Sequence, residues 1–235
     1  MFELRKSQER GHTELPWLES YHTFSFDQYY DAEHMGFGPL KVINEDTIAP
    51  GMGFGSHPHR DMEIITYIIS GQLEHKDSLG TGTIIEAGQV QKMSAGQGII
   101  HSSFNASSNE PVHLLQIWIQ PQSEGLQPTY EQKKINDELN KFTLIGGPAT
   151  DSPLHINQNV RLYRLHSTPG IINRFTAQTG NSVWVQMVQG ECLINGLQSV
   201  AGDGIALDKH DIEIKSLLPT ELLLFEFAGK QMMSH

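Results

Sequence analysis

Glycine interrupts this chain at short intervals, and the segments between the glycines resemble β-strands. Residues 62–69 (MEIITYII) are rich in β-branched side chains and are followed by Gly71, while residues 90–93 lie between Gly88 and Gly96. Short apolar runs separated by turn residues are typical of antiparallel sandwiches and barrels. The sequence therefore predicts an all-β fold built from many short strands.

The strand pattern changes once, after residue 120. Residues 130–142 (YEQKKINDELNKF) are mostly helix-forming side chains without a β-branched run, and a Gly-Gly-Pro sequence follows a few residues later. Such a segment predicts a short helix that ends before the glycines. We expect residues 121–150 to form a linker that contains this helix.

The second half of the chain repeats features of the first. The run SVWVQMVQ at 182–189, followed by Gly190, is similar to the run at 62–69 and its following glycine. Weak self-similarity of this kind indicates a duplicated domain. We predict two antiparallel β-barrels, with an N-terminal domain at 1–120 and a C-terminal domain at 151–235.

Three histidines are the candidate metal ligands of the N-terminal domain. His57 and His59 are two residues apart, so in an extended strand their side chains leave the same face, and Glu63 would share that face if the strand continued. His101 could supply a third imidazole from another strand. Neutral imidazoles with open coordination positions suit iron, copper, nickel or zinc. The alternative interpretation of His57-Pro58-His59 is a polar turn.

The aligned part of the second half has no such histidine pair. Asn173, Arg174 and Phe175 occupy the corresponding positions. We therefore expect one divalent transition metal, held in the N-terminal domain, and a C-terminal domain without metal ligands.

Two glycine-bearing motifs resemble those of the cupins. Residues 51–71 follow the pattern G-x5-H-x-H-x3-E-x7-G, and residues 88–105 combine G-x5-S-A-G with H-x3-N. Within the cupins the chain is most similar to the pirin family. The segments that carry this resemblance are YHTFSF at 21–26, MGF at 35–37, HPHRDME at 57–63 and MSAGQGIIH at 93–101.

The resemblance implies a bicupin fold with jelly-roll-like barrels and a metal, usually iron, on three histidines and a glutamate. The histidines correspond to His57, His59 and His101, but Ser103 occupies the glutamate position. A neutral hydroxyl is a poor ligand for a divalent metal compared with a carboxylate. The fourth ligand could be Glu63 or a water molecule, and the base could be Glu63, a metal-bound hydroxide or absent. Glu63 could equally be a hydrogen-bonded carboxylate behind the ligands.

The family resemblance also implies two functions. Some bacterial pirins resemble quercetin 2,3-dioxygenases, which cleave a flavonol with O2, so a small aromatic substrate is expected. The alternative is a non-enzymatic, redox-sensing regulator that acts through a protein partner. A metal-free relic that keeps the fold is a third interpretation.

Composition limits the partners and the compartment. The chain has 16 basic and 27 acidic residues, giving a net charge of −11, which disfavours direct binding to the phosphates of nucleic acids. Its single cysteine, Cys192, excludes an intrachain disulfide and suits a reducing compartment. The N-terminal segment lacks the apolar core of a signal peptide, and no apolar run has membrane-spanning length. We expect a cytoplasmic protein without a membrane segment.

Overall fold

β-strands make up nearly all the regular structure of the protein. The computed structural model describes residues 2–136, 138–150, 152–208 and 210–233. The first twelve strands are β1 (Phe2–Arg5), β2 (Gly11–Leu15), β3 (Leu18–His22), β4 (Leu40–Ile48), β5 (Gly53–His59), β6 (Glu63–Ser70), β7 (Gln72–Asp77), β8 (Gly82–Glu86), β9 (Gln89–Ser94), β10 (Ile99–Asn105), β11 (Val112–Ile119) and β12 (Thr129–Lys134). The others are β13 (Phe142–Gly146), β14 (Val160–Ser167), β15 (Ile172–Thr176), β16 (Ser182–Gln189), β17 (Glu191–Ile194), β18 (Leu197–Val200), β19 (Gly204–Leu207), β20 (Asp211–Ser216) and β21 (Thr220–Phe227).

The chain divides into two compact units. The first unit comprises residues 11–135, and the second comprises the described residues up to Arg10 together with those from Asn136 to Met233. Strand β1 belongs to the second unit because it pairs with β19, from Phe2 opposite Leu207 to Arg5 opposite Gly204. The backbone N–H of Ser7 extends this attachment by donating to Asp203 Oδ1 at 2.7 Å.

Each unit contains two antiparallel sheets. The first unit has a seven-stranded sheet in the order β12-β9-β6-β11-β4-β3-β2 and a four-stranded sheet in the order β5-β10-β7-β8. The second unit has a six-stranded sheet, β1-β19-β16-β21-β14-β13, and a four-stranded sheet, β15-β20-β17-β18. The all-β prediction is confirmed, but the sheets do not close into barrels, because each retains two edge strands.

The predicted linker helix at 130–142 is wrong. Thr129–Lys134 is strand β12, which pairs with β9 from Thr129 opposite Ser94 to Lys134 opposite Gln89. This strand lies at the edge of its sheet, where charged side chains are favoured because they discourage further strand pairing. Among the described residues the one helix is a single 3-10 turn, Ser7–Glu9. No helix in the described part of the chain has the length and apolar character needed to cross a membrane.

The central strands are buried on both faces. Ile64, Ile65 and Ile68 of β6 are almost inaccessible to solvent, as are Trp184 and Val185 of β16. β-branched and aromatic side chains pack well on a pleated surface. The similarity between these two sequence runs therefore reflects the same position at the centre of a sheet in each unit.

Gly53 allows β5 to approach β10. A Cβ atom at this position would lie 2.2 Å from the carbonyl oxygen of Ser103 and 2.5 Å from the Cα of Phe104. Both are backbone atoms, so relief requires the two strands to separate. At Gly55, two residues further along β5, a Cβ would meet nothing within 4 Å.

We expect Gly53→Ala to lower the free energy of unfolding by about 1–3 kcal/mol, the usual effect of forcing an extra methyl group into a packed site. Equilibrium unfolding in denaturant would measure it, with Gly55→Ala as the matched control. Equal stability of the two variants would contradict the close approach of β5 and β10.

Candidate metal centre

Strands β5 and β10 bring three histidines together. In their antiparallel pairing His101 lies opposite His57, and Ile99 lies opposite His59. The imidazole centroids are 4.4 Å apart for His57 and His101, 4.7 Å for His57 and His59, and 4.9 Å for His59 and His101. Among the described residues this is the one group of three or more potential metal-binding side chains, with ligand atoms all within 4.8 Å of one another.

The burial of His101 and the absence of hydrogen bonds to its ring among the described residues fit a metal site. Both of its ring nitrogens are buried and have no hydrogen-bond partner among the described residues. Buried polar atoms are normally satisfied, because leaving one without a partner is unfavourable. Two nitrogens that share an ion at about 2.1 Å lie no more than about 4.2 Å apart. The cluster is therefore within small side-chain rotations of a three-nitrogen site.

Burial keeps two of the imidazoles neutral. It lowers the pKa of His59 to about 4, with the nearby His57 as the second cause. Burial also lowers the pKa of His101 to about 3, assisted by His57, His59 and His75. Only the neutral imidazole has a free lone pair for a metal, so His59 and His101 are in the binding form at neutral pH.

A backbone contact orients His57. Its Nδ1 lies 2.7 Å from the carbonyl oxygen of Gly55. A carbonyl can only accept, so Nδ1 carries the proton and donates it. The lone pair is then on Nε2, which is the usual way in which a ligand histidine is oriented.

A fourth histidine lies next to His101. The centroids of His75 and His101 are 5.4 Å apart, and the ring of Tyr130 stacks on His75 at 4.8 Å. His75 Nε2 is 2.9 Å from Asp77 Oδ2, and both side chains are fully buried. This pair was not predicted from the sequence, although the spacing His75-x-Asp77 on strand β7 was its visible signal.

Ser103 faces the same cavity as the three histidines. It lies two residues after His101 on β10, beyond a register shift in the pairing with β5, and opposite His75 of β7. Its side chain is largely buried and lines the cavity with His57, His59 and His101. The hydroxyl therefore occupies the position at which the family resemblance places a carboxylate.

Glu63 lies apart from the histidine group. The strand does not continue from His59 to Glu63, because β5 ends at His59 and Asp61 adopts a positive φ of 48° before β6 begins. Glu63 is therefore in the seven-stranded sheet. Its Oε2 accepts a hydrogen bond from Ser94 Oγ at 3.0 Å and lies 3.9 Å from the buried Lys92 ammonium.

The histidines open onto a cavity between the two sheets of the first unit. Its volume is about 220 Å³. Aromatic and aliphatic side chains form much of its wall, which includes Leu15, Trp17, Leu18, Phe26, Ile48, Phe54, Leu73, Leu114 and Trp118. Trp118 also contacts His59 edge to face, with centroids 5.0 Å apart. A partly open cavity whose surface is mostly apolar, with polar groups at fixed positions, suits a small aromatic ligand.

The cavity also contains a buried carboxyl group that was not predicted from the sequence. Asp46 lies on β4, and its Oδ1 accepts a hydrogen bond of 2.5 Å from Ser20 Oγ of the neighbouring strand. Burial raises the pKa of Asp46 to about 6; the Ser20 hydrogen bond opposes this shift, and the negative charge of Glu45 adds to it. A carboxyl with a perturbed pKa in a cavity is a typical feature of a functional site.

Comparison with known proteins gives consistent similarities over the whole chain. Residues 3–119 match the family described as Pirin, and residues 144–227 match the quercetinase C-terminal cupin domain. The chain is 44% identical over 229 residues to the quercetin 2,3-dioxygenase of Escherichia coli strain K12, covering 96% of this chain and 98% of that protein.

Solved structures give the same result. The crystal structure of YhhW from Escherichia coli has a TM-score of 0.94 at 43% identity, with 100% of both chains covered. The bacterial pirin YhhW in complex with nickel(II), also from Escherichia coli, has a TM-score of 0.93 at 44% identity, covering 98% of this chain and 100% of that one.

Proposed function

Since this chain belongs to the pirin family, we propose that it is a metal-dependent dioxygenase that cleaves a flavonol such as quercetin with O2. The observation that carries the proposal is the convergence of His57, His59 and His101 on one wall of an aromatic-lined cavity. The E. coli relative named quercetin 2,3-dioxygenase supports the substrate class.

The three histidines would hold one divalent transition metal. The related YhhW structure contains nickel(II), whereas the family resemblance favours iron, and nitrogen ligands accept both. When bound, such an ion would supply a Lewis-acidic or redox-active centre for the substrate and O2. The role of this chain's own residues is to present three oriented nitrogens and to exclude water from the cavity.

Aerobic incubation with quercetin tests the proposed function. Protein loaded with iron or nickel(II) should bleach the flavonol absorbance, and His57→Ala should not. The metal content of the parent protein must be measured in the same preparation. A fully loaded parent that bleaches quercetin no faster than His57→Ala would refute the proposal.

Ser103 should limit how firmly the metal is held. We expect Ser103→Glu to keep its metal during dialysis against a chelator concentration roughly ten-fold higher than the parent protein withstands, because changes even to groups behind the ligands alter metal affinity by about 10–100-fold. The position faces the histidines, so a carboxylate there can add both a bond and a neutralising charge. Elemental analysis of dialysed protein measures the effect.

Two further variants test which side chain is responsible for the metal retention. Ser103→Ala should resemble the parent protein, because the hydroxyl contributes little to binding. Glu63→Gln should leave metal retention unchanged, since that carboxylate is engaged by Ser94 and lies near Lys92. Metal loss in Glu63→Gln alone would mean that Glu63 supports the site after all, and no gain in Ser103→Glu would mean that the missing carboxylate is not limiting.

A further inference from the structure

The cavity has two chemically different walls. The histidines come from β5 and β10 of the four-stranded sheet, whereas Asp46 comes from β4 of the seven-stranded sheet. A ligand bound to a metal on the first wall would extend toward the second. Aromatic and aliphatic side chains also line the cavity, among them Phe54, Leu114 and Trp118.

Asp46 is the buried acid of this cavity. Its side chain belongs to a residue that is only 4% exposed, and Ser20 is its one hydrogen-bond donor in the described part of the chain. Ser20 engages Oδ1, which leaves Oδ2 able to accept a further hydrogen bond. No cationic side chain within the described ranges forms an ion pair with this carboxyl. His113, whose charge lowers the pKa of Asp46, is 2.9 Å from Glu45 instead.

His22 lines the same cavity, but both of its ring nitrogens already have partners. His22 has Nδ1 at 2.8 Å from Asn44 Oδ1 and Nε2 at 2.9 Å from Thr13 Oγ1. Its two ring nitrogens therefore have partners within the protein. The carboxyl of Asp46 therefore retains acceptor capacity, since no second donor to it is present among the described residues.

We propose that Asp46, oriented by Ser20, accepts a hydrogen bond from a hydroxyl of the bound substrate on the side remote from the metal, and so selects polyhydroxylated aromatic substrates. This inference rests on the proposed function and deepens it. The substrate class is a flat aromatic molecule with metal-binding oxygens at one end and a phenolic hydroxyl at the other. Desolvation of an unpaired carboxylate by an apolar ligand would be unfavourable, so ligands that lack the second hydroxyl are disfavoured.

The test compares two flavonols that differ in the remote hydroxyls. Quercetin carries them, and 3-hydroxyflavone has only the hydroxyl next to the carbonyl. Dissociation constants are measured without oxygen on protein loaded with nickel(II), using the quenching of tryptophan fluorescence, since Trp17 and Trp118 line the cavity. Metal content is matched between variants.

Asp46→Asn should weaken quercetin binding about ten-fold or more, the usual effect of losing a hydrogen bond to a charged group. Binding of 3-hydroxyflavone should be unchanged or tighter. Ser20→Ala should weaken quercetin binding less, because the carboxylate remains. Asp211→Asn is the matched control, since Asp211 is an exposed acid of the second unit whose Oδ1 also accepts a hydrogen bond from a hydroxyl, that of Thr176, and this variant should bind both flavonols like the parent.

The outcomes separate this inference from the proposed function. If the parent binds quercetin and Asp46→Asn binds it equally well, or loses both flavonols alike, the role of Asp46 is refuted while the dioxygenase proposal stands. If the loaded parent binds neither flavonol, both proposals fail. Selective loss of quercetin in Asp46→Asn supports the inference.

Discussion

His101→Ala is expected to abolish metal retention. His101 lies on β10, between β5 and β7, and is the most buried of the three imidazoles, at 3% exposure. Removal of the His101 imidazole leaves two ligand nitrogens, both from β5, and no third ligand nitrogen from β10. Because changes to groups behind the ligands already lower metal affinity by about 10–100-fold, loss of a ligand should lower it by more than about 100-fold.

The measurement has two parts. Elemental analysis after dialysis should fall from about one metal ion per chain to near zero, and added nickel(II) should raise the melting temperature of the parent but not of the variant. A ligand present at 1,000 times its dissociation constant stabilises the folded state by about 4 kcal/mol. This thermal shift is therefore large for the parent protein.

A control variant distinguishes ligand loss from the general effect of removing a histidine. His166 lies in the second unit, where its Nε2 is 3.0 Å from Glu221 Oε2. His166→Ala should keep the metal and the thermal shift. Retention of metal by His101→Ala at the parent level would place the ion away from the three histidines.

The strands were predictable because their signals are local. Glycine-bounded, β-branched runs gave β6 and β16, and alternation along one strand put His57 and His59 on the same face. The helix at 130–142 was mispredicted for a physical reason. Strand β12 lies at a sheet edge, and the charged side chains that suit an edge are the same ones that favour a helix.

Long-range pairing left no local signal. Strand β1 is joined to β19, about 200 residues away along the chain, and nothing within the residues before Arg10 specifies that partner. The turn at Asp61 also left no signal in the sequence. Its positive φ follows the end of β5, and Glu63 after it belongs to the other sheet. One turn residue thus decides whether a carboxylate shares the histidine face.

Asp46 could not be predicted as a cavity residue, because the sequence does not show which face of β4 is buried. Asn44 and Asp46 share one face of β4, and Glu45 and Thr47 share the other, so both faces carry polar side chains. A sequence cannot say which of two polar faces is buried. The structure places Asn44 and Asp46 toward the cavity, where a carboxyl is unfavourable for folding but useful for binding.

Asp46→Asn is expected to stabilise the metal-free protein at pH 7.5. The folded-state pKa of Asp46, about 6, is above the ordinary value of 3.8, so the folded protein holds the proton more tightly than the unfolded chain. The associated stability is fully present below about pH 4 and is lost as the pH rises through about 6. The shift of about two pKa units means that ionisation of Asp46 lowers the free energy of unfolding by about 3 kcal/mol. Asparagine does not ionise and so avoids this loss, while its amide oxygen still accepts a hydrogen bond from Ser20.

Denaturant unfolding of both proteins at pH 4.5 and 7.5 measures this difference. The variant should exceed the parent by about 3 kcal/mol at pH 7.5 and by much less at pH 4.5. The same difference at both pH values would exclude ionisation of Asp46 as its cause. A variant that is more stable yet binds quercetin more weakly would identify Asp46 as a group retained for ligand recognition at the expense of stability, since selection for stability alone would replace it.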